Sequence, residues 1–307
     1  MVWAGAVLLL AASASAQNLF VSDAGSGNIY EFTLGGAQST FASGLNNPDA
    51  LAFNSAGDLF VAEAGSGNIY EFTPGGTESI FASGLTEARG LAFNSAGDLF
   101  VSGEKTSLGG SGGYIIEITP SGTQSTFASG LENPNGLAVN AAGNLFVLVF
   151  TNNTRLKYPP GVLGYGAIIE ITPGGGQSTF ASLGTNAGGG GLAFNSMGGL
   201  FVSVNTKGNI TEITAGGGQS IFASGLDSPT GLAFNGAGDL FVANSGGNNI
   251  IEITPVGAQS TFATGLDDPY GLAFQSAPEP SVLGLGAFGA AAFLVCRRLW
   301  LSGNRFT

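Results

Sequence analysis

Short apolar words, set apart by Gly, Asn, Asp, Ser and Pro, recur along this chain in a fixed order. A GLAF-like word sits at Leu51, Leu91, Leu137, Leu192, Leu232 and Leu272. An LFV word starts at Leu19, Leu59, Leu99, Leu145, Leu200 and Leu240. An I-x-E-I/F-T word starts at Ile29, Ile69, Ile115, Ile168, Ile210 and Ile250, and an S-T/I-F-A word centres on Phe41, Phe81, Phe127, Phe180, Phe222 and Phe262. Each word is short and rich in β-branched and aromatic residues, which predicts strands of about three to five residues joined by turns. The first and second words are joined by NSAGD-like segments such as Asn54 to Asp58, and the third and fourth by PGG-like turns such as Pro74-Gly75-Gly76. Both suit tight hairpins. Four antiparallel strands in a unit of about 40 residues make one blade of a β-propeller.

The ends of the repeat decide between a ring and an open stack. The first unit begins at LFV without a GLAF word, and the last stops at Gly271 to Phe274 with no LFV after it. The final strand therefore supplies the inner strand of the first blade. An open solenoid would need polar capping repeats, and none are visible. Closure also removes the long unpaired edge that a sheet so poor in charge could not safely expose. The expected fold is all-β: one six-bladed propeller with four antiparallel strands per blade, over residues 17–276.

GLAFNSAGDLFV at Gly90 to Val101 and GLAFNGAGDLFV at Gly231 to Val242 resemble the phrase of the NHL-repeat and gluconolactonase-like six-bladed propellers. The resemblance covers nearly the whole repeat region and speaks to fold. Such propellers host binding modules, scaffolds and hydrolases alike, so function must come from a site. In gluconolactonase-like members, the resemblance implies a metal held by carboxylate and amide side chains over the channel. No stretch of this sequence reproduces that motif closely enough to assign ligands from it.

Departures from the repeat mark one face. The LFV spacing runs 40, 40, 46, 55 and 40. The extra residues of unit three lie between Val101 and Ile115, and those of unit four mostly between Val147 and Ile168. Loops joining strands two to three, and strand four to the next strand one, emerge on one face, and every insertion falls there. Variable loops on a constant scaffold usually carry binding residues. Arg89, Lys105, Arg155, Lys157 and Lys207 all map to loops of that face, interspersed with acids such as Asp49, Glu87, Glu104 and Asp268. With Tyr158 and Tyr165 of the long segment RLKYPPGVLGYG, they form a candidate face for an anionic or polar polysaccharide.

Two further patterns bear on chemistry. Each third strand carries one Glu (Glu31, Glu71, Glu117, Glu170, Glu212 and Glu252), and sixfold repetition argues for a structural role. Two residues past LFV, three adjacent units offer Asn244, Asp23 and Glu63, oxygen donors that could hold Ca²⁺ or another divalent cation. The competing expectation is that these residues only open the following turn.

Composition narrows the field. The formal net charge of −12 disfavours a nucleic-acid partner. A hydrophobic share of 44% disfavours disorder despite 53 glycines. One cysteine, Cys296, and no histidine exclude an internal disulfide and a Cys/His zinc site. Without histidine, a general base near neutral pH would have to be a carboxylate with a raised pKa or a lysine with a depressed one. No serine sits in a G-x-S-x-G elbow. No catalytic residue is assigned, and a binding or scaffold protein is favoured over the alternative, a metal-dependent lactonase.

The two ends carry addresses. Residues 1–16 hold an apolar run from Val2 to Ala12 and then Ala14-Ser15-Ala16, the form of an export signal with an A-x-A cleavage site. Residues 277–307 contain Pro278-Glu279-Pro280, an apolar stretch from Val282 to Cys296, and then Arg297 and Arg298. An apolar segment ending in paired arginines has the form of a stop-transfer helix with its positive end in the cytoplasm. In that order, the three parts resemble the PEP-CTERM sorting signal of Gram-negative bacteria. The resemblance implies an exosortase-type enzyme as partner, at least transient membrane anchoring, and delivery to the cell surface or the exopolysaccharide matrix.

Overall fold

The computed structural model describes residues 17–107, 110–151, 165–185 and 187–275, without the side chains of residues 105–111 and 151. Six four-stranded antiparallel sheets follow one another as blades. Blade 1 takes its inner strand from the end of the chain: Pro269–Phe274 pairs with Leu19–Asp23, with Leu19 opposite Phe274. The ring closes as the incomplete first and last units require. Blade 2 is a complete unit, with Pro48–Phe53 innermost, then Leu59–Glu63, Asn68–Phe72 and Glu78–Ala82 outermost.

The NSAGD turns work through their asparagine. Asn54 Oδ1 accepts from the backbone N–H groups of Ala56 and Asp58, both at 2.9 Å, while its amide donates to Asp58 Oδ2 at 2.9 Å. Asn94 and Asp98 repeat these contacts in blade 3, and Asn235 and Asp239 in blade 6. Positive φ falls on the glycine, +87° at Gly57, while the asparagine side chain replaces missing backbone hydrogen bonds.

Between blades the core is aromatic. The Phe of each LFV word is wedged between the outer-strand Phe of its own blade and the inner-strand Phe of the next. Phe20 meets Phe41 and Phe53, Phe60 meets Phe81 and Phe93, and Phe241 meets Phe262 and Phe274, all edge-on with ring centroids 4.9–5.1 Å apart. Edge-to-face packing is the preferred geometry of such pairs. From blade 3 to blade 4 the chain departs from it. Val139 stands where the next blade's Phe would be, and Phe100 tilts onto Phe127 at 4.7 Å.

Two findings differ from the strand lengths the sequence predicts. The inserted residues of blade 3 continue the hairpin as strands Leu99–Ser107 and Gly110–Ile118, nine residues each, in place of an irregular loop. In blade 4, Leu145–Thr151, Tyr165–Ile171 and Gln177–Thr185 are likewise longer than the words that seed them. Ladder hydrogen bonding thus extends blades 3 and 4 above the ring on the inserted face. Among the described residues no helix is long and apolar enough to cross a membrane. The candidate export and sorting segments, with Pro278, Glu279, Pro280, Arg297 and Arg298, lie outside the described residues.

Candidate functional site at the channel mouth

Inner strands enter the ring on the inserted face, and there they approach closely. A Cβ placed on Gly231 would stand 2.2 Å from the Tyr270 carbonyl oxygen of the next blade, and one on Gly90 2.2 Å from that of Asn135. At those two positions only glycine fits, which is the physical content of the G in GLAF, while blade 2 carries Ala50 at the equivalent place. Serines bridge the same seam in alternate blades. Ser102 Oγ accepts from Gly90 N–H at 2.8 Å in its own blade and donates to the Asn135 carbonyl at 2.7 Å in the next. Ser22 does the same with Gly271 and Asp49, and Ser203 with Gly191 and Thr230.

One residue before that glycine position, the six inner strands read Asp49, Arg89, Asn135, Gly190, Thr230 and Tyr270. No two are alike. Asp49, Arg89, Asn135, Gly190 and Tyr270 line a cavity of about 90 Å³ on the channel axis, over a wall of the GLAF leucines. Thr230 turns its hydroxyl aside, onto the carbonyls of Ala243, Pro269 and Tyr270. Asn135 and Tyr270 belong to opposite blades of the ring and bring their side chains near one another across the mouth.

Electrostatically the mouth is uneven. Asp49 is 8% exposed, and its Oδ1 has no hydrogen-bond partner. Burial holds its carboxyl well above the usual carboxylate range, with Asp268 adding to the rise and Arg89 opposing it. The nearby Asp49 charge, then burial, pushes the Tyr270 phenol far above its ordinary value. Arg89 is already engaged, with Nη2 at 2.7 Å from Glu87 Oε2 and 3.9 Å from Glu104 Oε2.

Of the basic residues singled out in the sequence, the structure brings Arg89 to this cavity. Lys207 instead donates from Nζ to the Leu183 carbonyl at 3.0 Å, tying its loop to blade 4. The Lys105 side chain, and Arg155, Lys157 and Tyr158 entirely, lie outside the described residues. Tyr165 hydrogen-bonds Ser182 through their hydroxyls on the extended part of blade 4.

The three candidate metal donors serve turns in three different blades. Asp23 accepts the Asp267 N–H at 2.7 Å, Glu63 the Asn46 N–H at 2.6 Å, and Asn244 the Asp227 N–H at 2.6 Å. In each case the next residue is left-handed without being glycine: Asp268 at φ +59°, Asn47 at +57° and Ser228 at +50°. Such conformations persist where the surroundings over-determine them. Blade 3 meets the same need differently: beside Gly103, the Tyr114 hydroxyl accepts the Thr86 N–H at 2.9 Å, ahead of Glu87 at +50°. Asp23, Glu63 and Asn244 thus clamp the turns that deliver the inner strands. Among the described residues, no three His, Cys, Asp or Glu side chains group as metal ligands.

A ring of six blades with a polar cavity at one mouth defines the class: a six-bladed β-propeller whose axial site is built by its inner strands. Solved structures of that class superpose on the chain. A protein assigned to the gluconolactonases matches with a TM-score of 0.60 at 16% identity, over 75% of this chain and 82% of its own. Virginiamycin B lyase from Staphylococcus aureus, solved as a catalytically inactive variant with quinupristin, matches with a TM-score of 0.60 at 17% identity, over 87% and 94%. A streptogramin B lyase matches with a TM-score of 0.59 at 16% identity, over 84% and 95%. At these identities the likeness is one of fold. No family model and no curated protein sequence matches the chain.

Proposed function

We propose that this chain is an exported binding module of the cell surface or matrix, which grips a polysaccharide at the channel mouth on the face raised by blades 3 and 4. One observation carries the reading: on a scaffold where nearly every position repeats, Asp49, Arg89, Asn135 and Tyr270 put four different polar side chains around one cavity. Convergent polar groups over an apolar wall are the usual form of a ligand site. The sorting signal read at residues 277–307 supplies the location, with an exosortase-type enzyme as partner.

Metal-dependent lactone hydrolysis, the alternative, needs a different donor set. A Ca²⁺-like cation takes six to eight oxygens, several of them carboxylate. Asp49 is the one carboxylate lining this cavity, and the Arg89 guanidinium shares it. Those residues do not fit a divalent cation.

Affinity electrophoresis of the full-length chain through gels containing neutral, acidic and amine-bearing polysaccharides tests the binding reading. Retardation is expected in at least one gel, and the double variant Asn135→Ala, Tyr270→Ala should migrate freely there. Unchanged migration in every gel would overturn the reading. Recovery of the chain from the cytoplasm of its host would overturn the export half.

A further inference from the structure

The cavity also indicates which kind of sugar it would hold. Asp49 Oδ1 is buried in the cavity lining without a partner, an acceptor that lacks a donor. Leaving such a group unpaired costs its full desolvation, so a ligand bringing an N–H or O–H there gains disproportionately. Charge decides between the two. Arg89 is committed to Glu87 and Glu104, and Asp268 adds a further negative field on Asp49 and Tyr270. Four carboxylates against one guanidinium make this a poor seat for a uronate, the anionic sugar the basic residues first suggest. A cation suits it, and Tyr270, which lines the same cavity near Asp49, is a side chain of the kind that makes cation–π contacts. The whole chain, at −12, likewise favours a polycationic partner. At about 90 Å³ the cavity is small beside the roughly 300–1,000 Å³ of ordinary ligand pockets, so it would take the tip of a ligand whose body lies on the rim.

We propose that the channel mouth binds the free primary ammonium group of a de-N-acetylated amino sugar, an inference that rests on the polysaccharide reading above. The ammonium donates to Asp49 Oδ1 and lies against Tyr270, while the linked sugars run over the rim beneath blades 3 and 4. Burial holds the Asp49 carboxyl high in the free protein, a penalty on its charge that a bound ammonium relieves.

Calorimetric titration of the full-length chain with a β-1,4-linked glucosamine hexamer, its N-acetylated counterpart and a uronate oligomer of equal length tests this. The amine form should bind about tenfold or more tighter than the acetylated form, the effect of one charge-assisted hydrogen bond. Asp49→Asn should remove that preference, and Tyr270→Leu should weaken the amine form about threefold. If Asp49→Asn does not fold, Arg89→Ala carries the test: it removes a competing cation and should tighten the amine form. Equal binding of amine and acetylated forms, preferred binding of the uronate, or an amine preference that survives Asp49→Asn would overturn the ammonium site and leave the polysaccharide reading standing. Binding of none of the three would overturn the ammonium site, and with the electrophoresis blank in every gel it would overturn both.

Discussion

The two ends of the six inner strands are built on opposite principles. At the constant face, each strand ends in Phe or Val, five of the six enter an Asn-led turn, and the NSAGD turns of blades 2 and 3 make the same hydrogen bonds at 2.9 Å. At the mouth, four residues earlier and about 13 Å away by the ordinary rise of a strand, the same segments carry Asp, Arg, Asn, Gly, Thr and Tyr. The constant end is uniform because every blade solves one packing problem there, while the mouth is free to vary because close contact with the neighbouring blade falls mainly on the backbone at the Gly or Ala that follows. Sixfold repetition therefore holds the ring together, and its failure at one position gives the ring a chemistry.

That contrast can be broken experimentally, and its largest test is at the uniform end. Phe241→Ala removes a ring wedged edge-on between Phe262 and Phe274, at the junction that closes the propeller. A loss of about 3–5 kcal/mol is expected in denaturant unfolding. A loss under about 1 kcal/mol would show that the aromatic seam does not carry closure. Next comes Ser102→Ala, which strips one acceptor and one donor from the seam between blades 3 and 4 and leaves the buried Gly90 N–H without that partner. About 1–3 kcal/mol should follow, read from the same curves. Smaller again is Asn94→Ala, which opens one turn on the constant face. It should cost about 1 kcal/mol, comparable to a lost helix cap, and should leave any ligand binding at the mouth unchanged.

The propeller, its blade count and its closure by Gly271 to Phe274 could be read from the words because each word is a strand whose packing is repeated. The mouth could not, for a physical reason. Asp49, Asn135 and Tyr270 sit just ahead of the GLAF word, at a position with no common residue type to align. Asp49 and Arg89 were visible only as loop charges of the inserted face. The signal was present in negative form: a column of six unlike residues directly before a near-invariant glycine. Asp23, Glu63 and Asn244 present the opposite case. Oxygen donors on three consecutive blades look like a coordination set, yet strand pairing sends each to its own turn, where a left-handed residue needs an anchored N–H. Sequence spacing shows which residues share a face, and not which backbone groups have claimed them.

The smallest effect should have the opposite sign, and it separates the two ends most cleanly. Asp49 is a buried carboxyl facing Arg89, Asp268 and Tyr270, and its pKa is raised well above the ordinary value of 3.8. An acid with a raised folded pKa holds its proton more tightly when folded. Folding stability therefore falls as pH climbs from the unfolded value through the folded one, and stays lower above it. Asn at this position carries no charge to desolvate. Asp49→Asn should thus match the parent below about pH 4 and be more stable near neutrality, with Tm rising by ~2–4 °C for each kcal/mol gained in a domain of this size. Thermal unfolding of both proteins across that pH range is the measurement. A variant less stable than its parent at neutral pH would mean that Asp49 holds the ring together as the phenylalanines do, and the division between a structural end and a chemical end would fail at its most distinctive residue.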